Sequence, residues 1–375
     1  MSFVKEAIKV KHKYSPPLRE KFEQNKPIFT VIIDAYFNKK YLKQAVESVQ
    51  NQTYQNIELI LVDNASIEDV PQYLEDIYQT AINVKLIKFK ENQFSHDGVE
   101  VDKAVSICWN SALHYAKGDY IFHLDYDDYL SNNFVQRMVQ LFLNNDHCTT
   151  ATGLPCIIND KGDIVESSET SNKRGLYTSG FDIAADILDK RNKNLCSLRG
   201  GTFVVKKEYL IKIGGYDRMI DLLQYFKILP FGVSGYDKYA TYYRRVHRNQ
   251  FNLIFKKSGC LWYKAHMEAL NRSNVITLWR KEFGDYYALK LQAYSTNAIE
   301  GMVFSILGIS LVSINIKTQI KTLINIQKQC PHLLGRALWN VIKFYLLLPK
   351  FFVGKMLKRE HKERIKLFLS KKNVY

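Results

Sequence analysis

Cysteine is sparse and unpatterned in this 375-residue chain: six residues stand at positions 108, 148, 156, 196, 260 and 330, with no C-x-x-C pair and no metal-ligand spacing. That excludes a zinc ribbon or a disulfide scaffold and reads as reduced thiols in a cytosolic protein. The start, Met1-Ser2-Phe3-Val4-Lys5, lacks the apolar core of a secretory leader, so export by that route is not expected. A membrane-crossing helix needs about 20 mostly apolar residues. The two nearest candidates fall short: one run ends at Ile316 before Lys317, and the other, from Ala337 to Val353, is broken by Lys343, Pro349 and Lys350. No RNA-binding or helix-turn-helix pattern is present, so no nucleic-acid partner is expected despite a net charge of +16.

Negative charge is what the C-terminal region has least of. From Lys317 to Tyr375 there are 14 Lys or Arg against two Glu, which accounts for +12 of the +16. Apolar runs lie in the same stretch, and two readings follow. One is a set of basic amphipathic helices on an anionic membrane surface, with Trp339, Tyr345, Phe351 and Phe352 at the interface and Lys355, Lys358, Arg359, Lys362, Arg364 and Lys366 toward the lipid. The other is a helical domain with a solvated basic face. The chain is long enough for about two domains, and with 46% hydrophobic residues it can bury a sizeable core.

What is present is a strand that ends in carboxylates. Gly118-Asp119-Tyr120-Ile121-Phe122-His123-Leu124 runs into Asp125-Tyr126-Asp127-Asp128. Alternation along a strand would point Asp125 and Asp127 the same way, toward one hard divalent cation, and leave Asp128 to orient a water or a hydroxyl. A polar turn capped by Asp is the plainer alternative. Upstream, a strand from Phe29 to Ile33, a helix from about Lys40 to Gln50 and a second strand from Ile57 to Val62 make a βαβ unit, whose open end is a place for nucleotides. Asp63 closes that second strand, where it can accept hydrogen bonds from a base or ribose, or cap the segment near Ser66.

The run Thr30-Val31-Ile32-Ile33-Asp34-Ala35-Tyr36, with Glu47-Ser48-Val49, Gln52-Thr53-Tyr54 and Val62-Asp63-Asn64-Ala65-Ser66, resembles the amino-terminal signature of family 2 glycosyltransferases. Asp125, Asp127 and Asp128 resemble the DxD element of that family, Gly214-Gly215-Tyr216-Asp217 its glycine-glycine-aromatic-Asp turn, and Tyr243-Arg244-Arg245-Val246-His247 the region of its Tyr-Arg-x-His element. The match runs from about Pro27 to Phe251.

The resemblance implies an α/β GT-A fold, Rossmann-like with a mixed, mainly parallel sheet, followed by an α-helical C-terminal region. It implies transfer of one sugar, with inversion, from a nucleoside-diphosphate sugar, with UDP the expected carrier, to a hydroxyl of a glycan or lipid-linked acceptor. Asp63, Tyr36, Asn110 and Asp34 then lie around the nucleotide. Asp125 and Asp127 hold Mn2+ or Mg2+, with His247 a further ligand or a buried structural histidine, and Asp128 and Arg244 lie toward the diphosphate or donor. Asp221 takes the place of the catalytic base, Asp217 being the reserve and an N-cap role the other reading of Asp221. The expected organisation is residues 1–26 as an extension, 27–255 as the catalytic domain and 256–375 as a basic, membrane-associating region at the inner face of the plasma membrane.

The chain departs from the family pattern in places. Asp34 stands where Pro is usual and Phe37 where Asn is usual, and a carboxylate beside a diphosphate weakens donor binding unless Lys39, Lys40 or the metal compensates. Ile220 replaces the Glu expected before Asp221. A sugar nucleotidyltransferase is the alternative enzyme, disfavoured because Asp34-Ala35-Tyr36-Phe37 offers no glycine-rich phosphate loop. A degenerate, non-catalytic binding protein is the other.

Overall fold

A computed structural model describes residues 10–93, 101–167, 175–189, 203–216, 221–247 and 274–292. The chain divides into two compact units, residues 1–254 with 265–294, and residues 255–264 with 295–375. The described residues all belong to the first. It extends past the boundary expected at 255, because the helix Val275–Phe283 buries Trp279 against Phe226 and donates the indole N–H to the Phe226 carbonyl at 2.8 Å. The basic segment from Lys317 onward and the membrane-surface reading of it lie outside the described residues. Among the described residues no helix is long and apolar enough to cross a membrane.

The architecture is one mixed sheet with helices on both faces. In chain order its elements are β1 (His12–Ser15), β2 (Phe29–Ala35), α1 (Lys39–Gln50), β3 (Ile57–Asp63), α2 (Val70–Thr80), β4 (Val84–Phe89), α3 (Val101–Tyr115), β5 (Tyr120–His123), β6 (Tyr129–Leu130), α4 (Phe134–Leu143), β7 (Cys148–Ile158) and β8 (Ile164–Ser167). There follow β9 (Tyr177–Ser179), α5 (Gly180–Asp189), β10 (Phe203–Lys206), α6 (Lys207–Lys212), α7 (Asp221–Ile228), β11 (Val233–Arg245) and α8 (Val275–Phe283). The strand order is β1-β4-β3-β2-β5-β10-β7-β11-β6, with β8 paired to β7 and β9 to β11. Strands β4, β3, β2 and β5 are parallel, and β10 runs antiparallel between β5 and β7. Strands β7 and β8 form an antiparallel hairpin joined at Asn159–Gly162, where Gly162 takes φ +93.

Residues 12–15 are part of this sheet. β1 pairs antiparallel with β4, and the Tyr14 ring stacks on Tyr115 at 3.8 Å. Within the segment expected as an extension, His12–Ser15 is thus an edge strand.

Alternation along the parallel strands decides which helices each side chain meets. Phe29, Val31, Ile33, Leu59, Leu61, Val84, Leu86 and Phe122 pack in one cluster with the apolar stripe of α1, Leu42, Ala45, Val46 and Val49. Ile32, Ile60, Val62, Ile87 and Ile121 pack on the other face against Val105, Cys108, Trp109 and Ala112 of α3. Thr30, Asp34, Glu58, Lys85 and His123 have the parity of this second face, so α3 covers a layer holding charged groups. From β2 the chain builds outward through β3 and β4, then returns to the far side of β2 as β5. The carboxyl ends of β2 and β5 thus flank the point where the strand order reverses, the usual crevice for ligands in such sheets.

Candidate functional site

The strand β5 stops at His123, and Leu124 donates its N–H to the Ile32 carbonyl at 2.9 Å. Asp125 to Asp128 form a turn closed by the Asp128 N–H on the Asp125 carbonyl at 3.1 Å. The strand alternation expected to align Asp125 with Asp127 is therefore absent. The turn brings the carboxylates together instead: one oxygen from each of Asp125, Asp127 and Asp128 lies within 4.8 Å of the others.

The three carboxylates have different surroundings. Asp125 is half-exposed, and its Oδ1 lies 3.6 Å from His123 Nδ1. Asp127 Oδ2 meets His247 Nε2 at 2.8 Å. Asp128 is buried with both oxygens engaged, Oδ2 accepting from the Tyr242 hydroxyl and Oδ1 from the Arg245 N–H at 2.7 Å. Burial, followed by the charges of Asp127 and Asp125, pushes the Asp128 carboxyl well above the usual carboxylate range against those two hydrogen bonds. Hard oxygen donors at this spacing fit Mg2+ or Mn2+, and Asp125 with Asp127 offer the accessible ones.

Arg245 is the cation that builds this turn. Its Nε donates to the Asp127 carbonyl at 3.0 Å, its Nη1 to the Asn159 carbonyl at 3.1 Å and its Nη2 to Gln44 Oε1, and the guanidinium lies 4.5 Å from the Tyr41 ring. Arg244, expected toward the diphosphate or donor, is half-buried on the same strand.

At the neighbouring strand ends, Asp63 is nearly buried and accepts from both the Ser66 N–H at 2.7 Å and the Ser66 hydroxyl at 2.6 Å through Oδ1 alone. It thereby shapes the turn that leads toward α2, whose N-cap is Asp69. The carbonyl of Tyr36 accepts from the Ile67 N–H at 2.9 Å, and Phe37 packs on Tyr126 of the acidic turn with ring centres 5.4 Å apart.

Two expectations change with the geometry. Asp34 is not compensated by Lys39, which pairs with Asp69 at 3.0 Å. It faces α3 instead, taking hydrogen bonds from His123 Nε2 at 2.7 Å and from Trp109 Nε1 at 3.3 Å. Burial raises its carboxyl, but the His123 hydrogen bond and charge with the Trp109 bond more than offset this and hold it below the usual range. Asn110, expected near the nucleotide, is fully buried and clamps the backbone of Tyr216, donating to its carbonyl at 2.7 Å and accepting from its N–H at 2.8 Å. That clamp secures the Gly214-Gly215-Tyr216 turn, where both glycines hold positive φ. Asp221 is the first residue of α7, with its side chain outside the described residues, as is Asp217.

Residues 30–214 match the model of glycosyl transferase family 2. An uncharacterized glycosyltransferase of Haemophilus influenzae is 31% identical over 149 residues, 40% of this chain and 55% of that protein. The minor teichoic acid biosynthesis protein GgaA of Bacillus subtilis is 32% identical over 130 residues, 33% of this chain and 27% of that protein. The chain thus spans about half or less of the length of these two relatives. Among solved structures, S. aureus TarS 1–349 in complex with UDP-GlcNAc superposes with a TM-score of 0.59 at 17% identity, covering 88% of this chain and 93% of that one. The mixed sheet with a carboxylate turn at its strand-order reversal is therefore a GT-A fold, and residues 30–214 of it carry the match to glycosyl transferase family 2.

Proposed function

We propose that the protein is an inverting glycosyltransferase that moves one sugar from a nucleoside-diphosphate sugar, with uracil as the base, to a hydroxyl of a glycan or lipid-linked acceptor in surface-polysaccharide or lipooligosaccharide synthesis. The observation that carries this reading is the convergence of the Asp125, Asp127 and Asp128 oxygens where the strand order reverses. The teichoic acid role in the name of GgaA and the UDP-GlcNAc held by the TarS structure support the acceptor and donor classes.

In this reading Asp125 and Asp127 hold a divalent cation, which supplies charge to the departing diphosphate. Asp63 presents its second oxygen to the base while Oδ1 keeps the Ser66 turn closed. Arg245 and His247 keep Asp127 in place. Asp221, at the start of α7, takes the proton from the acceptor hydroxyl as its oxygen bonds to the anomeric carbon and the bond to the diphosphate breaks on the opposite face. The basic C-terminal region brings the enzyme to the inner membrane face, where lipid-linked acceptors lie.

The test is release of nucleoside diphosphate from UDP-, GDP- and CDP-sugars by the full chain, with Mn2+ and then with chelator. Metal-dependent release from one donor, lost in Asp125→Ala and retained as donor binding without transfer in Asp221→Asn, is the expected result. Equal release with chelator and in Asp125→Ala would contradict it, and release of pyrophosphate from a nucleoside triphosphate with a sugar phosphate would identify a nucleotidyltransferase.

A further inference from the structure

Behind the acidic turn lies a second layer of groups that the reaction above does not use. Asp34 sits at the end of β2 on the α3 face, and its Oδ1 takes bonds from His123 Nε2 at 2.7 Å and from Trp109 Nε1 at 3.3 Å. An ionised carboxylate only accepts, so this bond fixes Nε2 as a proton-bearing nitrogen and turns the other ring nitrogen away from Asp34. That nitrogen, Nδ1, lies 3.6 Å from Asp125 Oδ1. Trp109 lies against the imidazole with ring centres 3.7 Å apart and the planes tilted by 40°. His123 itself is 6% exposed. Carboxylate, imidazole and carboxylate therefore stand in line from the buried face of the sheet to the rim of the site, the first pair joined by a hydrogen bond and the second in contact at 3.6 Å.

We infer, on the reading that Asp125 binds the cation, that Asp34 and His123 are positioning residues for Asp125: Asp34 fixes the His123 ring, and His123 holds the Asp125 carboxylate in register with Asp127. Asp125 is the most exposed of the three carboxylates, its side chain being 48% accessible, and His123 meets it from the buried side; His247 meets Asp127, and Tyr242 and Arg245 meet Asp128. Groups that orient a metal ligand from behind change metal affinity or activity by roughly 10–100-fold when removed. Trp109 also meets Tyr216 edge-on at 5.1 Å, so the same support touches the turn leading toward Asp217 and Asp221.

The experiment is Mn2+ titration of the full-length protein followed by electron paramagnetic resonance of free Mn2+, with and without UDP, alongside thermal unfolding and the Mn2+ dependence of transfer. His123→Asn and Asp34→Ala are expected to weaken Mn2+ binding by about 10–100-fold. Their transfer rate should approach that of the unmutated protein at saturating Mn2+, a rescue that general structural damage does not give. Asp34→Asn, which keeps the size and an acceptor oxygen, should fall between, so the test survives if Asp34→Ala fails to fold. Folded variants that bind Mn2+ as tightly as the unmutated protein would overturn the positioning role while leaving the proposed function intact. An unmutated protein that takes up no Mn2+, even with UDP, would overturn both.

Discussion

The parallel strands carry charge at both ends, and the two ends are built on different terms. At the amino ends of the strands, Glu58 and Lys85 are each 1% exposed and form an ion pair. The pair is closed by its neighbours: Thr30 Oγ1 donates to Glu58 at 2.6 Å, the Lys117 N–H does so at 2.7 Å, and Lys85 donates to the Tyr115 carbonyl at the end of α3 at 2.6 Å. Gly118 lets this knot form, since a Cβ there would sit 2.3 Å from Thr30 Oγ1. At the carboxyl ends, Asp34, Asp63, Asp125, Asp127 and Asp128 gather with His123, His247 and Arg245 among them. One end balances its charges inside the protein, and the other gathers an excess of carboxylate around a crevice. A closed pair leaves no buried charge uncompensated, whereas an excess of carboxylate at a strand-order reversal is compatible with a divalent cation.

Substitutions at the two ends should separate along that line. Lys85→Met leaves Glu58 buried without its cation and should cost about 3–5 kcal/mol in urea unfolding, with transfer per folded molecule unchanged. Replacing Lys85 and Glu58 together with Met and Leu should recover most of that loss, because no uncompensated charge remains. At the other end Asp127→Ala should leave the unfolding midpoint nearly unchanged while transfer falls by about 100–1,000-fold, measured as nucleoside diphosphate released. Asp221→Asn should lower transfer by about 100-fold or more with donor binding intact in calorimetry. Asp63→Ala has the smallest expected effect, about 1 kcal/mol of stability from the lost Ser66 turn, together with a raised KM for the donor. A Lys85→Met protein that stays stable but loses transfer would erase the contrast between the two ends.

The parts of this arrangement differ in how legible they were. The βαβ unit and the acidic turn are written in contiguous residues, so an apolar run followed by Asp63 or Asp125 announces them. The role of Asp34 is not, because its partners Trp109 and His123 lie 75 and 89 residues away and become neighbours only when β5 docks beside β2. Arg245 bonds the acidic turn through both its backbone N–H and its guanidinium, which two consecutive arginines in the sequence do not announce. The pairing of β11 with β7 shifts register between Asp237 and Thr241, and an irregularity of that kind changes which face each later residue takes. The β1 edge strand was also hidden, since four residues with a mixed polar pattern carry little signal on their own.

The claim that the acidic turn is a cation site for a nucleotide-sugar donor is tested most directly by calorimetric titration of UDP into the full-length protein with Mn2+, repeated with chelator and with Asp125→Ala. The account predicts binding with Mn2+ that is lost in both controls. Binding of equal strength in all three, or none in a folded protein, would contradict it.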